Sequence, residues 1–260
     1  MKNRLSISFI IPNWNNRSLL ADCVASIMQS SDPYDHEIIV VDNASADDSR
    51  AFITEHYPGV LWIQNASNAG YARAVNQGVE ASRGDMLFLL NNDVVLKEDT
   101  VAGLVGCLLK HPADGAVAPV LLYPDGRLQI SCRRFPTPAA ILLEKLGIKK
   151  CGPFRKLKLT AEEHLKGGKV LQPMMSALIV RRECWNAVGP LDGRFPIFFN
   201  DVDWCYRLFR RSGSIRLCPE IRAVHHEGAS VNRLGFRKTV LLYQGLFRFY
   251  AKHMTLRMNR

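Results

Sequence analysis

Five side chains in this sequence carry the chemistry of a reactive centre: Asp93, Asp201, Asp203, His225 and His226. Asp93 closes the triplet Asn91-Asn92-Asp93 inside LLNNDVVL, where three polar residues interrupt an apolar run and forfeit burial on both sides. A carboxylate beside an Asn carbonyl at a strand end suits a hard divalent cation such as Mg²⁺ or Mn²⁺, with positions left for phosphate oxygens and water. Such a site fits a nucleoside diphosphate. The same triplet also fits a turn that caps a strand at the surface. Asp201 and Asp203 open a helical stretch, where a carboxylate serves either as a proton acceptor or as a helix cap. His225 and His226 end a strand-like run; an imidazole there is a metal ligand or a satisfied core residue.

These residues need elements to hold them. Apolar runs at Ile7 to Ile11, Ile38 to Val41, Val60 to Ile63 and Met86 to Leu90 are continuous rather than alternating, which predicts strands buried on both faces. Helical spacing lies between them, at Leu20, Val24, Ile27 and Met28, at residues 52 to 56, at Ala72, Val75 and Val79, and at Val101, Leu104 and Leu108. The alternation predicts an open, mostly parallel α/β sheet over the first 110 residues. Each strand ends in a polar residue: Asn13, then Asp42 and Asn43, then Asn65, then the Asn-Asn-Asp triplet. In open α/β sheets the carboxyl ends of the strands line the ligand crevice, so these residues are expected to converge.

From about 112 to 175 seven prolines loosen the pattern, and residues 145 to 170 read as a mobile basic loop with one short helix. Order returns with a strand at Ala177 to Val180, a short helix ending at Gly189, the stretch FFNDVDWCYRLFRRSG leading into a helix, and the strand-like IRLCPEIRAVHH.

Length and charge narrow the classes. A chain of 260 residues with 47% hydrophobic content builds one substantial core. Its net charge of +10 is concentrated, +6 over residues 145 to 169 and +7 over residues 228 to 260, leaving the remainder slightly acidic. A nucleic-acid binder would spread its cations over the main face, so no nucleic-acid partner is expected. No apolar run reaches the ~20 residues of a membrane span, and the start lacks the apolar region of a signal peptide, so a cytoplasmic location is expected. Seven cysteines without a C-x-x-C pair suggest neither a disulfide framework nor a zinc site, and most are read as small core residues. A dinucleotide fold is disfavoured, because no glycine follows the first strand in IIPNWNN.

Seven blocks occur in a telling order: SFIIPNWNN, EIIVVDNASADDS, NAGYARAVNQGVEAS, MLFLLNNDVVL, SALIVRRECWNAVGPLD, FFNDVDWCYRL and VHHEGAS. Over roughly residues 5 to 232 the sequence resembles the family 2 glycosyltransferases of the GT-A fold, particularly the bacterial rhamnosyltransferase-like members. The resemblance implies that Asn91, Asn92 and Asp93 stand at the D-x-D-like motif, with Asp93 its last acidic position and His225 completing the metal site. It places Asp42 at the carboxylate that recognises a uracil or thymine ring, with Pro12 and Asn13 in the same pocket, and Asn68, Gly70, Arg73 and Asn76 beside the donor, Arg73 facing the diphosphate. FFNDVDWCYRL matches the E-D-x-D block, which makes Asp201 the base and Asp203 and Arg207 supporting residues. Asn200 stands where many members carry Glu.

The resemblance implies an inverting, metal-dependent transfer of a sugar, with rhamnose one candidate, from a dTDP- or UDP-linked donor to a hydroxyl of a glycan or lipid-linked acceptor. The alternative is a catalytically inactive nucleotide-sugar-binding module, suggested by Asn at 91, 92 and 200. The expected division is residues 1–232 as the GT-A domain, with a nucleotide-sugar half (1–111) and an acceptor half (112–232), followed by a helical tail (233–260). In that tail Phe236, Val240, Tyr243, Phe247, Tyr250 and Met254 fall on one stripe flanked by basic residues. Such a helix fits an anionic membrane surface at the inner face of the cell membrane, or packs on the domain's own core.

Overall fold

The computed structural model describes residues 5–30, 33–137, 157–195, 197–226, 235 and 237–254. The first segment alternates as its periodicity predicts: β1 (Ser6–Asn13), α1 (Arg17–Ser30), β2 (Asp35–Asp42), α2 (Ser49–His56), β3 (Leu61–Gln64), α3 (Tyr71–Ala81) and β4 (Met86–Leu90). These strands pair in parallel in the order β3-β2-β1-β4. The remaining described elements are β5 (Val94–Leu96), α4 (Thr100–Lys110), β6 (Ala116–Leu122), β7 (Cys132–Arg133), α5 (Ala161–Lys166), β8 (Gly168–Val170), β9 (Gln172–Pro173), β10 (Ala177–Arg181), α6 (Arg182–Val188), α7 (Asn200–Arg210), β11 (Ile215–His225) and α8 (Arg237–His253).

Beyond β4 the sheet turns mixed. It continues β10-β6-β11-β5, with β10 antiparallel to both of its neighbours and β5 and β8 antiparallel to β11. Helices cover both faces, and β1 shows why its run is continuous: Phe9 and Ile11 enter the layer with α1, α2 and α4, while Ile10 enters the layer with α3, α6 and α7. Burying both faces of a strand removes the polar alternation seen when one face meets water. β3 departs from this expectation. It is an edge strand, and Leu61 on it is exposed.

Two further expectations change. Cys107 of α4 and Cys218 of β11 are disulfide-bonded, with Cα atoms 6.9 Å apart, because antiparallel and parallel pairings around β11 carry Cys218 under α4. The spacing of cysteines along the chain contains no trace of that approach. The other described thiols behave as core residues: burial pushes Cys132 up to about 12 and Cys184 up to about 11. The tail is helical over Arg237–His253, but its inward face is not the anticipated stripe. Phe249 is fully buried, whereas Val240, Tyr243 and Phe247 are 42%, 52% and 75% exposed. Gly245 decides this docking, since a Cβ there would come within 2.8 Å of the Phe199 side chain. Phe236 lies outside the described residues, as does 138–156 of the basic segment. Its remainder holds α5, closed by a capping box between Thr160 and Glu163.

Candidate active site

A chain of side-chain hydrogen bonds runs along the carboxyl edge of the parallel strands in the order of the strands themselves. Gln64 at the end of β3 donates to Asp42 Oδ2 at the end of β2 (2.7 Å). Asn13 at the end of β1 donates to Asp42 Oδ1 (2.9 Å), and Asn92 after β4 donates to Asn13 Oδ1 (2.7 Å). Parallel register produces this line, because Asn13 is paired directly with Asp42 and Asp42 with Gln64. Ser45 adds its backbone N–H and hydroxyl to Asp42. Asp42 is buried and accepts from Asn13, Gln64 and twice from Ser45, about the full acceptor capacity of a carboxylate. Pro12 sits one residue before Asn13 at the same edge.

At the end of β4 the pattern changes from satisfied to unsatisfied. Asn91 gives its Nδ2 to Ser176 Oγ (3.3 Å), but its Oδ1 is buried without a partner, and so is Asp93 Oδ1. Buried oxygens that accept nothing are costly in a folded protein. His225 Nε2 lies 3.3 Å from Asp93 Oδ1. Gln129 Oε1 meets His225 Nδ1 at 2.8 Å and fixes the orientation of the ring, with Nε2 toward Asp93. Antiparallel pairing of β5 with β11 sets His225 opposite Val94, the residue after Asp93. His226 turns its backbone N–H to Asp93 O and takes no part in this pair. Two orphaned oxygens and an imidazole nitrogen are a donor set that fits Mg²⁺ or Mn²⁺. Among the described residues no three His, Cys, Asp or Glu side chains converge on a possible metal position.

Asp201 lies in the first turn of α7 rather than in the loop before it. Burial raises its proton affinity, against the backbone N–H of Val202, the charge of Arg133 and a hydrogen bond from Gln172 (2.8 Å). The two-stranded sheet of β7 and β9 brings Arg133 and Gln172 there. Tyr71 stands at the start of α3. Its hydroxyl donates to Met175 O (2.9 Å), and burial together with the charges of Asp201 and Asp93 pushes its own ionisation far up.

Asp203 is fully buried and ties α7 to α8. It takes Arg207 Nε at 2.9 Å, and Lys252 Nζ and His253 Nε2 at 2.7 Å each. Burial alone would raise its carboxyl, but the hydrogen bonds from His253 and Lys252 and the charges of Arg207 and Lys252 outweigh it and hold the group low. Arg207 also caps the end of α6 through Val188 O and Gly189 O.

The segment beside α3 divides. Asn68 Oδ1 accepts from Gly70 N–H, and Gly70 takes φ +81° as the helix begins, a conformation that favours glycine. Asn76 spends both amide atoms on the backbone of Leu191, which leaves it to position a loop rather than touch a donor. Arg73 is exposed and lies along Gly193. Asn200 gives its amide to Ile197 O (2.7 Å), fixing the loop before α7. Sequence reading did not single out Tyr71, Gln129, Gln172 or Ser45, since a lone Gln or Tyr carries no spacing signal; Ser45 had one, three residues after Asp42 in an Asx-type turn.

The family model described as Glycosyl transferase family 2 matches residues 8–167. The protein y4gI of Sinorhizobium fredii is 28% identical over 240 residues, 86% of this chain but 25% of that protein. The N-acetylglucosaminyl-diphospho-decaprenol L-rhamnosyltransferase of Mycobacterium tuberculosis is 27% identical over 215 residues, 75% of this chain and 68% of that enzyme. Among solved structures, the mannosyltransferase PcManGT from Pyrobaculum calidifontis in complex with GDP-Man and Mn²⁺ superposes with a TM-score of 0.66 at 17% identity, over 98% of this chain and 65% of that one. That likeness shows the fold, the GT-A architecture of a mixed sheet between helices. The chain spans a quarter of the length of one relative and about two thirds of the other two.

Proposed function

The chain belongs to glycosyl transferase family 2, and from that premise we propose that it is an inverting, metal-dependent glycosyltransferase that moves a sugar from a nucleoside diphosphate to an acceptor hydroxyl. One observation carries the reading: the buried Oδ1 atoms of Asn91 and Asp93 at the strand edge have no hydrogen-bond partner, and Asp93 Oδ1 lies 3.3 Å from His225 Nε2.

In this reading Asn13 and Asp42 seat the nucleoside. The carboxylate of Asp42 is already saturated, so the imide N–H of a uracil or thymine ring takes the place of one donor, and the exposed Gln64 is the one free to leave. Asn92 holds Asn13 in register with the triplet, and Asn68 and Gly70 set the turn that opens α3 beside the donor. Asp93, Asn91 and His225 would hold the cation, which when bound neutralises charge on the departing diphosphate. Asp201 accepts the proton of the acceptor hydroxyl as the glycosidic bond forms, on the face opposite the leaving group. Its desolvation raises its basicity above that of a free carboxylate, which suits this role. Asp203 and Arg207 keep the first turn of α7 in place.

The donor proposed is a dTDP- or UDP-sugar, rhamnose among the sugars, and the acceptor a lipid-linked glycan, as in the Mycobacterium tuberculosis relative whose name records a diphospho-decaprenol. No described helix is long and apolar enough to cross a membrane. The outward face of α8, with Val240, Tyr243 and Phe247 near Arg237 and Lys238, supports peripheral attachment to an anionic headgroup layer. The domain boundary is proposed at about residue 232, with α8 bound back onto α7.

A panel of nucleotide sugars with Mg²⁺ or Mn²⁺, scored by thermal shift and nucleotide release, tests the reading. Stabilisation by a nucleotide diphosphate only when the metal is present supports it; no stabilisation by any member of the panel would sink it.

A further inference from the structure

Between α3, the loop before α7 and α8 lies a cavity of about 630 Å³. Arg73, Arg194, Arg248 and Lys252 line it, and no carboxylate does. Arg194 and Lys252 share Asp192, each at 2.7 Å, and Lys252 also reaches Asp203. Arg248 gives one N–H to Arg194 O, and Arg73 makes no hydrogen bond or ion pair among the described residues. Two guanidinium groups with no carboxylate partner therefore face a space that two compensated cations already border. Arginine forks match the oxygens of phosphate in a bidentate manner. The volume exceeds that of a single phosphate and lies in the range of small-molecule sites.

Position narrows the ligand. Asp203, bonded to Lys252, sits two residues after Asp201 on the first turn of α7. The cavity thus lies across the first turn of α7 from Asp201, whose own partners are Gln172 and Val202. Arg248 and Lys252 come from α8, whose other face is exposed and apolar. A phosphate on a lipid chain would find cations on one side of this helix and an apolar stripe on the other.

We propose that this cavity is an acceptor site for a phosphate or diphosphate group, closed by Arg248 and Lys252 of α8, and that it orients a lipid-linked diphosphate so that its sugar hydroxyl meets Asp201. The proposal rests on the glycosyltransferase reading. It moves Arg73 from the donor's diphosphate to the acceptor's.

The test uses the full chain, its Arg248→Gln variant and the Arg194→Gln/Arg248→Gln double variant, all altered at exposed positions. Calorimetry measures binding of inorganic pyrophosphate and farnesyl diphosphate in EDTA, and of UDP and dTDP with Mn²⁺. The expected result is a loss of about tenfold or more for pyrophosphate and farnesyl diphosphate in the double variant, with nucleotide affinity within about twofold of the parent. Unchanged pyrophosphate affinity would overturn the site. A parallel loss of nucleotide affinity would overturn the acceptor assignment and give the cations to the donor. Failure of the parent to bind any nucleotide would count against the glycosyltransferase reading, and it is read in a separate arm.

Discussion

His225 Nε2 faces Asp93 Oδ1 across 3.3 Å, and that buried carboxylate oxygen has no hydrogen-bond partner. A buried carboxylate oxygen and an imidazole nitrogen held together by the β5–β11 register suit a cation between them.

Mn²⁺ with UDP or dTDP should therefore raise the melting temperature of the parent protein and leave that of Asp93→Ala and His225→Ala nearly unchanged. At a ligand excess of about 100 Kd the stabilisation is about 2.7 kcal/mol. Differential scanning fluorimetry reads it, and an equal shift in Asp93→Ala would remove Asp93 from the metal site.

Asp201→Asn should keep nucleotide binding while transfer falls by about 10²- to 10⁴-fold. Because burial raises the proton affinity of Asp201, the acid limb of kcat/KM should lie above the ordinary Asp value, with activity lost as pH falls through it. The stability sign is opposite to the catalytic one. A carboxyl whose folded pKa is raised costs stability once pH exceeds its unfolded value, so the neutral Asn variant should melt no lower than the parent at pH 7. A melting temperature several degrees lower would contradict the burial argument.

Asp203 carries the reverse linkage. Its folded pKa is depressed, so its contribution is present above the unfolded Asp value near pH 4 and is lost as pH falls below that value. Asp203→Asn should cost about 2–3 kcal/mol, somewhat under the loss for a wholly buried pair because Lys252 and Arg207 keep some water contact. Urea melts at pH 7 and pH 3 check this: the gap between variant and parent should shrink at the lower pH, and a constant gap would show that charge is not the cause.

Phe247→Asp on α8 should weaken sedimentation with vesicles containing anionic lipid several-fold, leaving the melting temperature within about 1 °C, since Phe247 is 75% exposed. Phe249→Ala should instead destabilise the fold by about 3 kcal/mol, because that ring is wholly buried against Tyr206 and Phe199. Equal vesicle binding by Phe247→Asp and the parent would remove the membrane role.

How much could be read in advance depended on the range of the interaction. Continuous apolar runs at β1, β2 and β4 announced strands buried on both faces, and their polar ends at Asn13, Asp42 and Asn91 to Asp93 announced a shared edge, because burial and strand termination are local properties of a sequence. Family resemblance then supplied His225 and Asp201, which no local pattern would have joined to Asp93.

Tertiary structure decided everything that depends on register and on which face meets which. Nothing in NDVDWCYRL or in the tail foretold that Asp203 would seize Lys252 and His253. Heptad-like spacing gave α8 an apolar stripe, yet the helix docks through Phe249 and Gly245, because only glycine lets it approach Phe199. Likewise the Cys107–Cys218 bond and the cationic cavity join residues from distant elements. The sequence by itself determined the strands, their polar ends and the family; long-range packing, which no spacing along the chain encodes, decided how those ends meet and which side of the last helix is left to water.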